Sequence, residues 1–454
     1  MSNVRCYTAS WVLPVTAPPI RDGALLVDAD GRIAGVGPLE SMPSEEQAQR
    51  IELGDAALLP GLINVHAHPE LSAFRGLLDD LPFHEWIPSL MRCKRGAGLS
   101  FDDYLDAARW TCIESLRNGV TTMGATEDSG AGIMALGEAR MRGLVYLEVF
   151  GPAPDQVDSS MALLREKIQR FGPETNERVR IGVSPHAPYT VSDALYTAVA
   201  ELARRAHLPV ATHTAEAEVE ELLVREGLGP FAAGLRSRGI DTAPRAPSTV
   251  RLLEQTGLLA CQPMLIHALR LTDDDMQRAA DAGASIAHCP IANARLGHGI
   301  ARTVEMRQAG LPVAIGTDSV ASNNRLDLLE EARVAQLLQR ARLQSASALP
   351  ASELLEMVTI EPARMLGMAD RVGSLEVGKD ADFCVVSLAQ PHSVPAPDPI
   401  SAIFHSARGS DVMMTVVQGE VLYVGGTIIP FDVPALRARM VDIGERLLGA
   451  RESA

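Results

Sequence analysis

Eight short apolar segments recur through the middle of this chain, with amphipathic helical stretches between them. The segments are Leu62–His68, Gly119–Ala125, Gly143–Val149, Val179–Ser184, Leu208–His213, Met264–His267, Ala284–His288 and Leu311–Thr317. The stretches between include Asp102–Leu116, Val157–Phe171, Ser192–Ala206 and Asp273–Ala282, each with helical spacing of its apolar residues. Eight βα units are what a (β/α)8 barrel requires, and such a barrel carries its chemistry at the C-terminal ends of the strands. The predicted fold is therefore α/β, a distorted (β/α)8 TIM barrel over residues 58–367.

The polar residues fall where that architecture would use them. His66 and His68 close the first segment; on a strand, residues i and i+2 project to the same side. His186 lies just past the fourth segment, His213, His267 and His288 end the next three, and Asp318 follows the eighth. A lone His-x-His is more often a pair of satisfied strand-end residues than a metal site. Here six of the chain's eleven histidines sit at strand ends, and neutral imidazole is a common ligand for divalent metals.

The flanks read differently. Ser10–Val15, Gly23–Asp28 and Arg32–Val36 are short strands, with Asp30-Gly31 as a hairpin signal. Short strands return at Gly373–Val386 and Val412–Val424. The simplest arrangement joins 1–57 with 368–430 as a small β-sandwich domain, leaving 431–454 with a terminal helix near Pro434–Leu448. Gly227–Pro247, rich in Pro, Arg and Gly, reads as a loop excursion over one end of the barrel.

Of the 454 residues, 46% are hydrophobic and 22% charged, enough apolar side chain for a large core. A net charge of −16 argues against nucleic acid or an anionic membrane as partner. No apolar stretch is long enough to span a bilayer, and no basic start precedes a hydrophobic leader. The six scattered cysteines form no C-x-x-C pair and read as thiols of a reducing compartment. The expectation is a cytoplasmic enzyme with a small-molecule substrate, either a monomer or a homo-oligomer.

Pro60-Gly61-Leu62-Ile63-Asn64-x-His66-x-His68, His213-Thr214-Ala215-Glu216, Ile266-His267, and Gly316-Thr317-Asp318 with Ala321-Ser322-Asn323-Asn324 together resemble the amidohydrolase superfamily. Within it they are most similar to the deaminase branch of methylthioadenosine/S-adenosylhomocysteine deaminases and aminofutalosine deaminases. The resemblance implies that His66, His68, His213 and Asp318 bind one divalent metal, zinc first, with iron(II) or manganese(II) as alternatives. It implies that Glu216 shuttles a proton, that His267 orients the attacking water and that Asp318 accepts its proton. Two-metal relatives bridge their ions with a carboxylated lysine at a strand end. Only Lys94 and Lys167 lie between His68 and His213, and neither ends a strand, which favours one metal.

For the substrate, the resemblance points to His186 in Ser184–Thr190 and to Trp86, which either stacks on a heterocycle or belongs to the core. Glu70 and Tyr146-Leu147-Glu148 are closer to the aminofutalosine type. Where adenosine-type members carry an acidic residue for the ribose, this chain has Arg92-Cys93-Lys94-Arg95. That basic turn is either solvated or a subsite, centred on Arg95, for a substrate carboxylate. The expected reaction is hydrolytic deamination of an adenine nucleoside derivative with release of ammonia. The alternatives are displacement of chloride or an alkylamine from a triazine-like ring, a non-catalytic metal-stabilised scaffold, and amide hydrolysis of the hydantoinase type, which the missing lysine weakens.

Overall fold

The strand that carries the His-x-His pair, β6 (Leu62–Ala67), is buried along its whole length, as a strand covered on both faces must be. It belongs to a computed structural model that describes residues 4–44 and 47–452; residues 1–3, 45–46 and 453–454, within or at the ends of the predicted terminal segments, lie outside it.

Seventeen strands are described. Before β6 come β1 (Arg5–Val12), β2 (Ile20–Val27), β3 (Ile33–Pro38), β4 (Gln49–Glu52) and β5 (Ala56–Pro60). After it come β7 (Val120–Glu127), β8 (Arg142–Val149), β9 (Val179–Pro185), β10 (Ala211–Thr214), β11 (Met264–His267), β12 (Ser285–His288) and β13 (Val313–Ile315). The last four are β14 (Phe383–Ser387), β15 (Val412–Val417), β16 (Glu420–Val424) and β17 (Thr427–Ile428).

Strands β6 to β9 form one parallel sheet and β10 to β13 another, each in sequence order. The sheets are bonded to each other at both ends. At one, Val183 bridges Val210 and its N–H donates to Pro209 O. At the other, the N–H groups of Thr317 and Asp318 both donate to His66 O, at 3.1 and 2.9 Å. Ile63, Val65, Leu144, Ala211, Ile266, Ala287 and Ala314, drawn from strands of both sheets, share one buried cluster with Leu366, Met368 and Val372.

Two strands are shorter than the apolar runs that announce them. β13 starts after Pro312, which has no N–H to give a ladder, and ends where Gly316–Asp318 turn toward His66. β10 starts at Ala211 rather than Leu208, with Pro209 before it.

The chain's two ends meet in a nine-stranded sheet, ordered β17-β16-β15-β14-β5-β1-β2-β3 with β4 beside β1. β14 runs antiparallel to β5, Phe383 opposite Pro60 and Ser387 opposite Ala56, so the C-terminal segment is built onto the residues that lead into β6. Tyr7 and Phe383 meet edge to face at 4.9 Å in its core. Arg142, fully buried at the start of β8, donates to Asp382 at 2.8 Å and Asp380 at 2.9 Å, tying this sheet to the parallel one.

Two segments expected as irregular are helical. Arg92–Arg95 is the last turn of a helix, Phe83–Gly96, that tolerates Pro88 and carries Glu85 in its first turn and Lys94 and Arg95 in its last, the charge order that suits the helix dipole. The Gly227–Pro247 excursion contains a helix, Gly229–Arg236, with Pro230 in its first turn, where a missing N–H costs nothing; its Phe231 stacks on Tyr189 at 4.4 Å. The terminal helix, Val433–Glu452, is longer than the expected Pro434–Leu448 and is pinned by Arg439 on Asp106 and Arg446 on Asp103. Among the described residues no helix is long and apolar enough to cross a membrane.

Candidate active site

Asn64 clasps the strand end opposite its own. Its Nδ2 donates to Thr317 Oγ1 at 2.8 Å and its Oδ1 accepts from Thr317 N at 3.1 Å. The approach demands glycine at 316, where a Cβ would lie 2.9 Å from His66 Cβ. The chain then turns through Asp318 in the left-handed region, φ +60°, and presents Oδ1 to His66 Nε2 at 3.2 Å and His68 Nε2 at 3.5 Å. Ser322 Oγ donates to the other oxygen, Oδ2, at 2.8 Å.

His213 reaches the same place from β10. Its backbone N–H donates to His186 O at 2.9 Å, and its Nδ1 lies 3.0 Å from that carbonyl. A carbonyl can only accept, so Nδ1 carries the proton and Nε2 keeps its lone pair, the arrangement a metal-binding histidine needs. Ligand atoms of His66, His68 and His213 lie within 4.8 Å of one another, as do those of His66, His267 and Asp318, and of Glu148, His186 and His213. His66 Nε2 is buried and makes no hydrogen bond.

The electrostatics fit a cation. Burial, with neighbouring rings adding to it, lowers His66 and His68 and takes His213 down to about 3, leaving neutral imidazoles. Burial would raise Asp318, yet His66 and His267 hold its carboxyl well below the usual range. Glu216 behaves likewise: burial pushes it up, and His267 and His298 more than offset this. Glu216 Oε1 stands 3.5 Å from His267 Nε2, while His267 Nδ1 lies 2.9 Å from Asn293 Oδ1. Ala215, His267 and Ala268 are also left-handed; backbone strain of this kind collects at functional sites.

Of the predicted residues, the structure brings together His66, His68, His213, Asp318, Glu216 and His267. His186 joins them, its ring 4.6 Å from that of His213 and its Nε2 3.9 Å from Glu148 Oε1. Of the remaining three, Trp86 takes the core position that is one of its two readings. Glu70 is buried and engaged by Lys94 Nζ at 3.0 Å and Ser129 N at 2.9 Å. Trp86 packs in a hydrophobic cluster with Phe74, Phe83 and Tyr189. Arg95 is exposed on the last turn of its helix, and no contact among the described residues joins it to the histidines. Within the basic run, Lys94 has its counter-charge in Glu70.

The residues that sequence reasoning missed are Ser322 as a bond to Asp318, Glu220 and His298. Glu220 is wholly buried and accepts from the N–H groups of Ala215 and Glu216 at 2.7 and 3.1 Å. His298 Nε2 lies 3.3 Å from Glu216 Oε1. The one signal for it was a histidine between two glycines, Gly297-His298-Gly299, in the loop after a strand end.

Residues 57–422 match the amidohydrolase family. A 5-methylthioadenosine/S-adenosylhomocysteine deaminase of Syntrophobacter fumaroxidans is 34% identical over 418 residues, 90% of each chain. That name belongs to the other half of the branch from the one Glu70 and Glu148 pointed to. Among solved structures, an adenosine deaminase of Xanthomonas campestris with bound zinc superposes with a TM-score of 0.85 at 28% identity, over 97% of this chain and 98% of that one. An atrazine chlorohydrolase of Arthrobacter aurescens complexed with zinc gives 0.83 at 24% identity, over 97% and 99%, a likeness of fold alone.

Proposed function

Because the chain belongs to the amidohydrolase family and is an aminohydrolase, we propose that it removes the amino group of an adenine nucleoside derivative with water, releasing ammonia. The observation that carries this reading is the position of Glu216: a buried carboxylate 3.5 Å from His267 Nε2, three residues beyond a histidine of the cluster. The triazine reading rests on fold alone, and no feature of the site favours it.

The same reading takes the two four-stranded sheets, bonded at both ends, as one distorted (β/α)8 barrel. The nine-stranded sheet, whose core unites residues from both chain ends, is taken as folding over into a small sandwich. The site lies at the C-terminal strand ends, where barrels of this kind keep their chemistry.

One divalent metal, zinc in this proposal, would be held by His66, His68, His213 and Asp318. The unbonded His66 Nε2 and the lone pair left on His213 fit it, and three neutral nitrogens with one carboxylate are a donor set zinc accepts. Such an ion, when bound, brings the pKa of a water to about 7. His267 would orient the attacking water toward the amino-bearing carbon, and Asp318 would take its proton. Glu216, an ionised carboxylate that takes up a proton with the substrate, gives that proton to the adjacent ring nitrogen, so that charge does not build on the ring as the C–O bond forms. Asp318 then passes the water's proton to the departing amine, the C–N bond breaks to release ammonia, and the adduct's hydroxyl proton passes to Glu216 as the C=O forms. His186, beside His213 and with Nε2 3.9 Å from Glu148 Oε1, would contact the substrate.

The test is ammonia release from adenosine, 5-methylthioadenosine, S-adenosylhomocysteine and aminofutalosine by the zinc-loaded protein, alongside metal content in His66→Ala and His213→Ala. We expect one equivalent of metal in the parent, turnover of at least one nucleoside, and loss of both in each variant. Full metal occupancy and turnover in both variants would remove the ligand assignment; no ammonia from any nucleoside would remove the substrate class.

A further inference from the structure

The loop after β12 holds a histidine aimed inward by its backbone. Gly297 and Gly299, at φ +71° and +101°, bracket His298, and open space surrounds both glycines. Glycine is needed there for the left-handed turns and not for room. The His298 N–H donates to Asn293 O at 2.9 Å, and Asn293 is the residue beside His267. The ring is only 4% exposed. It stands edge-on to Phe83 at 4.6 Å and puts Nε2 3.3 Å from Glu216 Oε1, without the alignment of a hydrogen bond. A polar atom buried in this way is costly unless the working site gives it a partner.

We propose that His298 is a positioning residue for Glu216, an inference that rests on the deaminase reading of the site. In the working enzyme His298 Nε2–H donates to Oε1 of Glu216. His267 approaches the same oxygen, at 3.5 Å. The bond from His298 holds the carboxylate in a single rotamer and turns Oε2 toward the substrate's ring nitrogen. Without His298, Glu216 stays buried and near its place but loses its orientation. The defect then falls on the proton-transfer step and not on substrate binding.

The experiment compares His298→Ala, His298→Gln and Glu216→Gln, with the double variant His298→Ala/Glu216→Gln, in the metal-loaded protein. His298→Ala should lower kcat about 10- to 100-fold, the range a hydrogen bond to a charged group supports, with KM and metal content nearly unchanged. His298→Gln, whose amide can donate over a similar reach, should recover most of that loss. The double variant should be no slower than Glu216→Gln alone. If the alanine variant fails to fold, His298→Phe keeps the bulk against Phe83 without the donor and takes its place. A raised KM with normal kcat, or losses that add in the double variant, would overturn the proposal. Should the parent deaminate no nucleoside, the deaminase reading fails first. The crystal structure of metal-loaded His298→Ala then decides on His298: a rotated Glu216 carboxylate supports the positioning role, and an unmoved one overturns it.

Discussion

Ser322 Oγ donates to Asp318 Oδ2 at 2.8 Å, and Asp318 Oδ1 faces His66 Nε2 at 3.2 Å. The hydroxyl thus fixes which carboxylate oxygen looks into the histidine cluster. Its own position is set by the short turn after Asp318, where the Ser322 backbone N–H donates to Ser319 O at 3.1 Å.

Ser322→Ala should therefore weaken metal binding while leaving the fold intact. Loss of a bond that orients a metal ligand costs about 10- to 100-fold in affinity. Competition titration with a chelator should show the shift, and excess metal should restore most of the rate. An unchanged dissociation constant would mean that the turn alone orients Asp318.

Glu216→Gln should retain the metal and lose about 10²- to 10⁴-fold in kcat, the usual worth of positioned acid–base catalysis. The amide fits the same volume but cannot deliver a proton. Turnover at the parent rate would move the proton-transfer role to another group.

Glu127, at the end of β7, has no exposure and accepts Gly132 N–H at 2.7 Å. Burial, then the charge of Glu70, pushes its carboxyl up to about 8 from an ordinary value of 4.5. The folded state thus holds a proton that the unfolded state releases between those values. Its contribution is fully present below pH 4.5 and is lost as pH rises through about 8. Glu127→Gln, neutral at every pH, should lack this loss. Melting temperatures from pH 5 to 9 should fall less steeply in the variant than in the parent; parallel curves would contradict the assignment.

Lys94 and Glu70 form an ion pair in which the carboxylate is 3% exposed and the lysine 17%. Lys94→Met strands a buried charge and should destabilise the protein by about 3–5 kcal/mol in urea unfolding, as expected when one partner of a buried pair is removed. Arg95→Ala, an exposed change, should stay within about 0.5 kcal/mol and leave the ranking of nucleoside substrates unaltered. A loss of selectivity for anionic substrates in Arg95→Ala would instead support a carboxylate subsite at Arg95.

What the sequence determined by itself was local in origin. The His-x-His at the end of an apolar run, the histidines closing later runs and the Gly316-Thr317-Asp318 turn are each written in fewer than ten residues. Strand alternation is enough to predict that His66 and His68 share a face. The count of βα units then brings the strand ends together. The tertiary structure decided what depends on contacts distant in sequence or on competing local signals. Lys94 finds Glu70 because a helix forms through Pro88, which reads locally as a break. The excursion after Glu226 becomes helical because Phe231 has Tyr189 to stack on, 42 residues earlier in the chain. His298 reaches Glu216 across 82 residues, through a loop with no periodicity to betray which way its ring turns. Local patterns record backbone preference and burial. The partner of a buried charge or an inward-turned ring is chosen by packing, which no short stretch of chain contains.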